Sequence, residues 1–145
     1  MKALDTNVII RFLLVDDKAQ ARSVKALFEL AEKTGEQYFV TTPMILEMIW
    51  VLSAVYGFAR EEVLHALELL TEMPILAFES YESVRQVVTL GRNTRADIPD
   101  LLIGLSGRTA GCETTLTFEK GLKPTGLFER IGPAAHEKDD TRNSG

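Results

Sequence analysis

Apolar residues recur at helical spacing over most of the chain, and short β-branched and aromatic runs separate these stretches. In residues 18–33, for example, Val24, Phe28 and Ala31 fall on one side of a helix that Gly35 ends. The same reasoning predicts helices over residues 8–15, 18–33, 42–56, 60–70, 81–91 and 98–110. Strands are predicted at residues 3–4, 38–41, 75–78, 114–118 and 127–128.

Strands that alternate with helices predict an α/β fold with a mainly parallel sheet, whose ligands bind beyond the carboxyl ends of the strands. The longest apolar stretch, residues 43–58, contains Glu47 and is shorter than the roughly 20 residues of a membrane span. It therefore favours a buried helix, and no membrane association is expected. Residues 1–132 are predicted to form one domain, and the polar residues 133–145 a flexible tail.

Charge and cysteine content narrow the class of protein. The 145 residues include 16 Lys and Arg against 21 Asp and Glu, a formal net charge of −5. A protein that binds nucleic acid through its overall charge would be basic, so the negative net charge initially argues against nucleic-acid binding. The single cysteine, Cys112, cannot form an internal disulfide, which indicates a reducing, cytoplasmic location.

Five acidic residues stand where an α/β fold places its ligands. Asp5 and Glu119 follow predicted strands, Glu47 interrupts an apolar helix, and Asp97 and Asp100 begin another helix. Each has an ordinary interpretation, as a helix cap, a salt-bridge partner or a surface acid. Converging carboxylates, however, repel one another unless a cation neutralises them, and such hard oxygen ligands suit Mg²⁺ or Mn²⁺. A site of this kind assists phosphodiester hydrolysis.

Four sequence blocks that contain these acids resemble the PIN-domain ribonucleases in order and spacing. They are residues 4–10 (LDTNVII), Glu47 in its apolar helix, residues 96–103 (ADIPDLLI), and residues 110–112 with 117–120 (AGC and TFEK). The resemblance covers nearly all of residues 1–131. Within the family, this compact single-domain chain resembles the VapC toxins of bacterial toxin–antitoxin pairs.

This resemblance implies a three-layer fold and a Mg²⁺-dependent endoribonuclease that cuts tRNA or rRNA. It further implies a homodimer that a cognate VapB-type antitoxin inhibits. Asp5, Glu47 and Asp100 correspond to the core carboxylates of the family, and Thr6 and Asn7 to neighbours that hydrogen-bond within the site.

The sequence departs from the family pattern at two points. Glu119 occupies the position at which the family commonly has a catalytic aspartate. Ile98 and Pro99 replace an aromatic–alanine pair, so the entry of the helix can differ, and Asp97 either binds a second ion beside Asp5 and Asp100 or only caps the helix.

Basic residues border the proposed site. Arg92 and Arg95 precede the Asp97–Asp100 segment, and Lys120 follows Glu119. For any one of them solubility is the ordinary role, but as a set we predict that they hold the RNA backbone. On this interpretation the net negative charge no longer argues against RNA binding, because part of the excess of acidic residues is concentrated in a cation site.

Two alternative functions and one packing question stay open at this point. A catalytically degenerate domain could bind RNA or protein without cleaving it. An aspartyl-phosphate phosphatase would also use an aspartate after the first strand, but it needs a second one where Asn7 stands. Trp50, Phe28 and Leu67 are expected to be core or dimer contacts.

Overall fold

The computed structural model describes residues 1–132, so the predicted tail at 133–145 lies outside the described residues. The helices are α1 (Thr6–Leu13), α2 (Lys18–Thr34), α3 (Thr42–Trp50), α4 (Arg60–Thr71), α5 (Tyr81–Asn93) and α6 (Ile98–Thr109). The strands are β1 (Lys2–Ala3), β2 (Tyr38–Val40), β3 (Leu76–Phe78), β4 (Thr115–Thr117) and β5 (Phe128–Arg130). A 3₁₀ helix, Lys120–Thr125, joins β4 to β5.

All pairings between these strands are parallel, which confirms the predicted α/β class. One sheet has the order β1-β2-β3, with Ala3 opposite Phe39 and Phe39 opposite Ala77. β4 and β5 form a second, two-stranded sheet, with Leu116 opposite Glu129. The acids that follow β1 and β4 therefore stand at the ends of two different sheets.

Capping residues explain where the helices on the first sheet begin. Asp5 precedes α1 and its carboxylate accepts a 2.9 Å hydrogen bond from the backbone N–H of Thr6. Asp17 accepts from the N–H of Gln20 at 3.0 Å at the start of α2, and Gly35 ends that helix in the left-handed conformation at φ 75°. Because Asp5 caps α1, this helix begins two residues before its predicted start. It also ends two residues before its predicted end.

The helix predicted to reach residue 56 changes its winding on the way. After Trp50 it continues as a π-helical segment, Val51–Val55, and the backbone N–H of Tyr56 donates to the carbonyl of Val51 at 3.2 Å. Beyond it, the Tyr56 hydroxyl donates a 2.7 Å hydrogen bond to Asp16, which fixes this end of the helix against the loop between α1 and α2. Segments of π helix within α helices are frequent at functional sites.

A single apolar core joins the helices to the first sheet. Ile9 of α1, Met48 of α3, Leu67 of α4 and Leu101 of α6 are completely buried. Burying such a side chain contributes about 1.5–3 kcal/mol relative to leaving it exposed. Phe28 and Leu67 are thus core residues, as predicted. Among residues 1–132, no helix has the length and apolar character that a membrane span requires.

Candidate functional site

The first predicted acid, Asp5, lies directly after β1 and begins α1. Its backbone is extended, with φ −80° and ψ 156°, and its exposed side chain makes the capping bond to the N–H of Thr6. Thr6 is buried, whereas Asn7 is exposed. Asp5 therefore serves as a helix cap, and its exposure leaves carboxylate lone pairs free for a second role.

The second acid, Glu47, is an exposed residue in the second turn of α3. Two side chains fix the beginning of this helix. Thr41 accepts a 3.3 Å hydrogen bond from the N–H of Met44, and the carboxylate of Glu79 accepts one of 2.8 Å from the N–H of Thr42. The latter bond lowers the pKa of Glu79. Since Glu79 directly follows β3, the neighbouring strand holds the helix that carries Glu47.

Asp97 and Asp100 form an electrostatically coupled pair at the start of α6. Asp97 occupies the capping position, yet its side chain makes no capping hydrogen bond there. Asp100 is half-buried in the first turn, and burial followed by the negative charge of Asp97 raises its pKa. Asp97 is therefore a cap by position only, without the hydrogen bond expected of a capping side chain. Both carboxylates are left available to a ligand, and a cation between them would relieve the repulsion.

The pair lies on an open cavity of about 370 Å³. Trp50, Ser53 and Arg60, from the end of α3, the π segment and the start of α4, also line this cavity. Trp50 was expected to be a core or a dimer contact, and because it is 59% exposed it does not belong to the core. The sequence feature that could have indicated this part of the cavity is Trp50. It follows Glu47 by three residues and therefore lies on the same side of the helix.

Arg60 is held rigidly at this cavity by backbone carbonyls. Its Nε and Nη2 atoms donate to the carbonyl of Gly91 at 3.2 and 2.9 Å, and Nη2 also donates to that of Thr94 at 3.2 Å. In the part of the chain that the structure describes, Nη1 makes no hydrogen bond, and no carboxylate lies within ion-pair distance of Arg60. Sequence reasoning missed this cation, because its partners are backbone atoms.

Glu119 and Lys120 line a different cavity, of about 580 Å³, together with Lys123 and Arg130. Glu119 is exposed after β4, and its backbone N–H donates to the hydroxyl of Thr117 at 3.1 Å. The cavity lining thus contains three basic side chains and a second acid, Glu129. The structure thus brings Glu119 together with the predicted phosphate-binding lysine, in a cavity other than that of Asp97 and Asp100.

The two predicted RNA-binding arginines have different surroundings. Arg92 forms ion pairs with Glu68 at 2.6 Å and Glu61 at 3.0 Å, which raise the pKa of the guanidinium and link α5 to α4. Arg95 is exposed in the segment between α5 and α6 and has no such partner among residues 1–132. Arg95 is therefore the freer of the two cations.

Helix packing relates the acids of the first three blocks. α3, which carries Glu47, packs against both α1, which Asp5 caps, and α6, whose first turn contains Asp100. No group of three or more His, Cys, Asp or Glu side chains within residues 1–132 is close enough to hold a metal ion alone. Mg²⁺ usually takes only one or two carboxylates and keeps waters and substrate phosphates as its other ligands. The Asp97–Asp100 pair fits that requirement.

Comparisons with known proteins identify the family. The profile of the PIN domain matches residues 2–126. A protein described as a VapC ribonuclease, from Aquifex aeolicus (strain VF5), is 24% identical over 133 residues, which cover 92% of this chain and 97% of the relative. Both likenesses noted from the four sequence blocks are thereby confirmed.

Proposed function

Because this chain belongs to the PIN-domain family, we propose that it is a metal-dependent endoribonuclease, the toxin of a toxin–antitoxin pair. The observation that carries this proposal is the Asp97–Asp100 pair. The two coupled carboxylates lie on an open cavity at the start of α6, and neither is used to cap the helix. The proposed substrate class is tRNA or rRNA.

We assign cation binding to Asp5, Asp97 and Asp100, with Mg²⁺ as the ion and Mn²⁺ as its substitute. The bound cation would supply Lewis acidity for phosphodiester hydrolysis. Asp97 and Asp100 attract it because its binding removes their mutual repulsion. Glu47 adds a carboxylate from α3, and we assign Thr6 and Asn7 the task of hydrogen-bonding around Asp5.

We assign binding of the RNA backbone to the basic residues that border the acids. Arg95 and Lys120 are exposed, and each can contact a phosphate directly. Arg92 contributes less to binding the RNA backbone, because Glu61 and Glu68 already neutralise its charge. Glu119 acts from the second cavity, where Lys120 and Lys123 also lie.

We further propose a homodimer in the cytoplasm, inhibited by a VapB-type antitoxin. The likeness to a VapC ribonuclease along nearly the whole chain supports the antitoxin partner. Exposed apolar side chains on α3 and α6, among them Leu46 and Ile103, are a suitable contact surface for a second copy.

Incubation with bulk tRNA and rRNA tests the proposed activity. We expect cleavage with Mg²⁺ or Mn²⁺, none with EDTA, and loss of cleavage in Asp5→Asn and Asp100→Asn. Asn caps helices as well as Asp does, so Asp5→Asn keeps the start of α1 intact. Metal-independent cleavage, or full activity in both variants, would refute the proposal.

A second candidate is a PIN domain that binds RNA without cleaving it. Two observations favour it: Glu119 lines a separate cavity, and within residues 1–132 no three acids form a ready metal site. Retained RNA binding by the folded wild-type chain, with no cleavage under any metal condition, would identify this candidate as the correct one.

A further inference from the structure

The cavity beside Asp97 and Asp100 has one wall that the proposed reaction does not use. Trp50, Ser53 and Arg60 line the same 370 Å³ space as the two acids. Its volume lies in the range of small-molecule sites, about 300–1,000 Å³. This wall therefore adjoins the place where the scissile phosphate would lie.

Trp50 has the exposure of a binding residue. The preceding Met48 and Ile49 are buried in the core, whereas the indole of Trp50 is 59% exposed. It follows Glu47 by three residues on α3, so the two side chains are neighbours on the helix surface. An exposed aromatic face beside a phosphate-cleaving site suits an unpaired nucleobase, because every base can stack on it.

Arg60 supplies a fixed cation and donor at the same cavity. Carbonyls of Gly91 and Thr94 hold its Nε and Nη2 atoms, and in the described chain Nη1 donates to nothing. A guanidinium whose orientation is already set loses little freedom when it binds a base edge or a phosphate. Its charge also offsets the negative field of Asp97 and Asp100, which would otherwise repel RNA.

We propose that this cavity is a nucleobase subsite: an unpaired RNA base next to the cleaved phosphate stacks on Trp50 and is contacted by Arg60. The inference rests on the proposed ribonuclease function and extends it, since it assigns Trp50 and Arg60 to the base beside the cleaved phosphate. Ser53 also lines the cavity, and its hydroxyl can donate to or accept from a base edge.

The chain offers a direct probe, because Trp50 is its one tryptophan. A short single-stranded RNA of mixed sequence, added in EDTA to prevent cleavage, should quench the tryptophan fluorescence. An abasic strand of equal length should quench it far less, and so should the same RNA annealed to its complement. Equal quenching by the base-containing and abasic strands would overturn the proposal.

Variants separate the subsite from the nuclease. Trp50→Ala should weaken single-stranded RNA binding roughly tenfold or more, as loss of one stacked base does, whereas Trp50→Phe should retain most of the affinity. Arg60→Gln should weaken binding to the base-containing strand more than to the abasic one. The matched control is Tyr81→Ala, which removes an exposed aromatic ring on α5 and should leave affinity unchanged.

The outcomes distinguish the two proposals. RNA cleavage with unchanged KM in Trp50→Ala and no quenching would refute the subsite and leave the ribonuclease standing. Base-dependent quenching without any cleavage would support the subsite and refute the nuclease. Fluorescence that changes with protein concentration alone, and not with RNA, would identify a second copy of the chain as the occupant and overturn the base assignment.

Discussion

The carboxylate of Glu79 accepts a 2.8 Å hydrogen bond from the backbone N–H of Thr42, the first residue of the helix that carries Glu47. The bond joins residues 37 positions apart and links the end of β3 to the start of the helix after β2. A negative charge at a helix N-terminus also interacts favourably with the helix dipole. Glu79 thereby positions one of the proposed site acids without contacting the substrate.

Glu79→Gln should lower the free energy of unfolding at neutral pH. The bond depresses the pKa of Glu79 in the folded state, so its stabilising effect is full above the ordinary glutamate pKa and is lost as the pH falls through the depressed value. Urea unfolding should therefore separate wild type and variant at pH 7 and bring them together in acid. Glu32→Gln, at an exposed position of α2, is the control. A difference between wild type and Glu79→Gln that does not depend on pH would contradict this role.

Gly104→Ala should destabilise the fold by about 1–3 kcal/mol, the usual cost of overpacking. A Cβ atom at Gly104 would lie 2.9 Å from Cε2 of Phe128 and 3.0 Å from Cβ of Leu127, where α6 meets the second sheet. Gly121→Ala is the matched control, because its added Cβ would meet no atom within 4 Å. Thermal unfolding of both variants tests the prediction, and equal stability of the two would contradict the close packing of α6.

Arg92→Ala and Arg95→Ala should have different effects. Arg92→Ala breaks the ion pairs to Glu61 and Glu68, so it should reduce stability, and by less at high salt. Arg95→Ala should leave stability unchanged but weaken RNA binding and reduce the salt dependence of log K by about one phosphate contact. If the double variant kept wild-type RNA affinity and salt dependence, neither arginine would hold the backbone.

Glu119→Gln should reduce RNA cleavage less than Asp100→Asn does. Glu119 lies in the cavity of Lys120 and Lys123, whereas Asp100 is coupled to Asp97. Loss of a positioned acid or base typically costs about 10²–10⁴-fold in rate, and we expect Asp100→Asn to fall in that range. Rates measured with one RNA under saturating Mg²⁺ decide the order. The reverse order would place the reaction at the Glu119 cavity.

Much of the fold could be predicted because its signals are local. Helical periodicity located α1 to within two residues, and the Thr42–Pro43 pair located the start of α3, whose capping residue in the structure is Thr41. The division into two sheets could not be predicted, because pairing between β4 and β5 depends on long-range contacts. The sequence likewise suggested a structural cap for Asp97, whereas in the structure its side chain makes no capping bond.

In the candidate site, too, features with local signals could be predicted and features that depend on long-range contacts could not. The acids of the first three blocks could be singled out by pattern, because Asp5 follows a strand, Glu47 interrupts an apolar helix, and the Asp97–Asp100 pair begins another helix. Arg60 could not, since the carbonyls of Gly91 and Thr94 that orient it come from the end of α5 and the residues after it. Glu79 was missed for a similar reason, because its partner is a backbone N–H 37 residues away.

The rate of RNA cleavage by Asp100→Asn, measured together with its stability, tests the central claim most directly. Burial and the charge of Asp97 disfavour ionised Asp100, so the neutral amide should leave the fold at least as stable as wild type at neutral pH. We predict cleavage at least about 100-fold slower than wild type at saturating Mg²⁺, with Glu32→Gln unaffected. Cleavage by a well-folded Asp100→Asn at the wild-type rate would contradict the assignment of the reaction to this carboxylate pair.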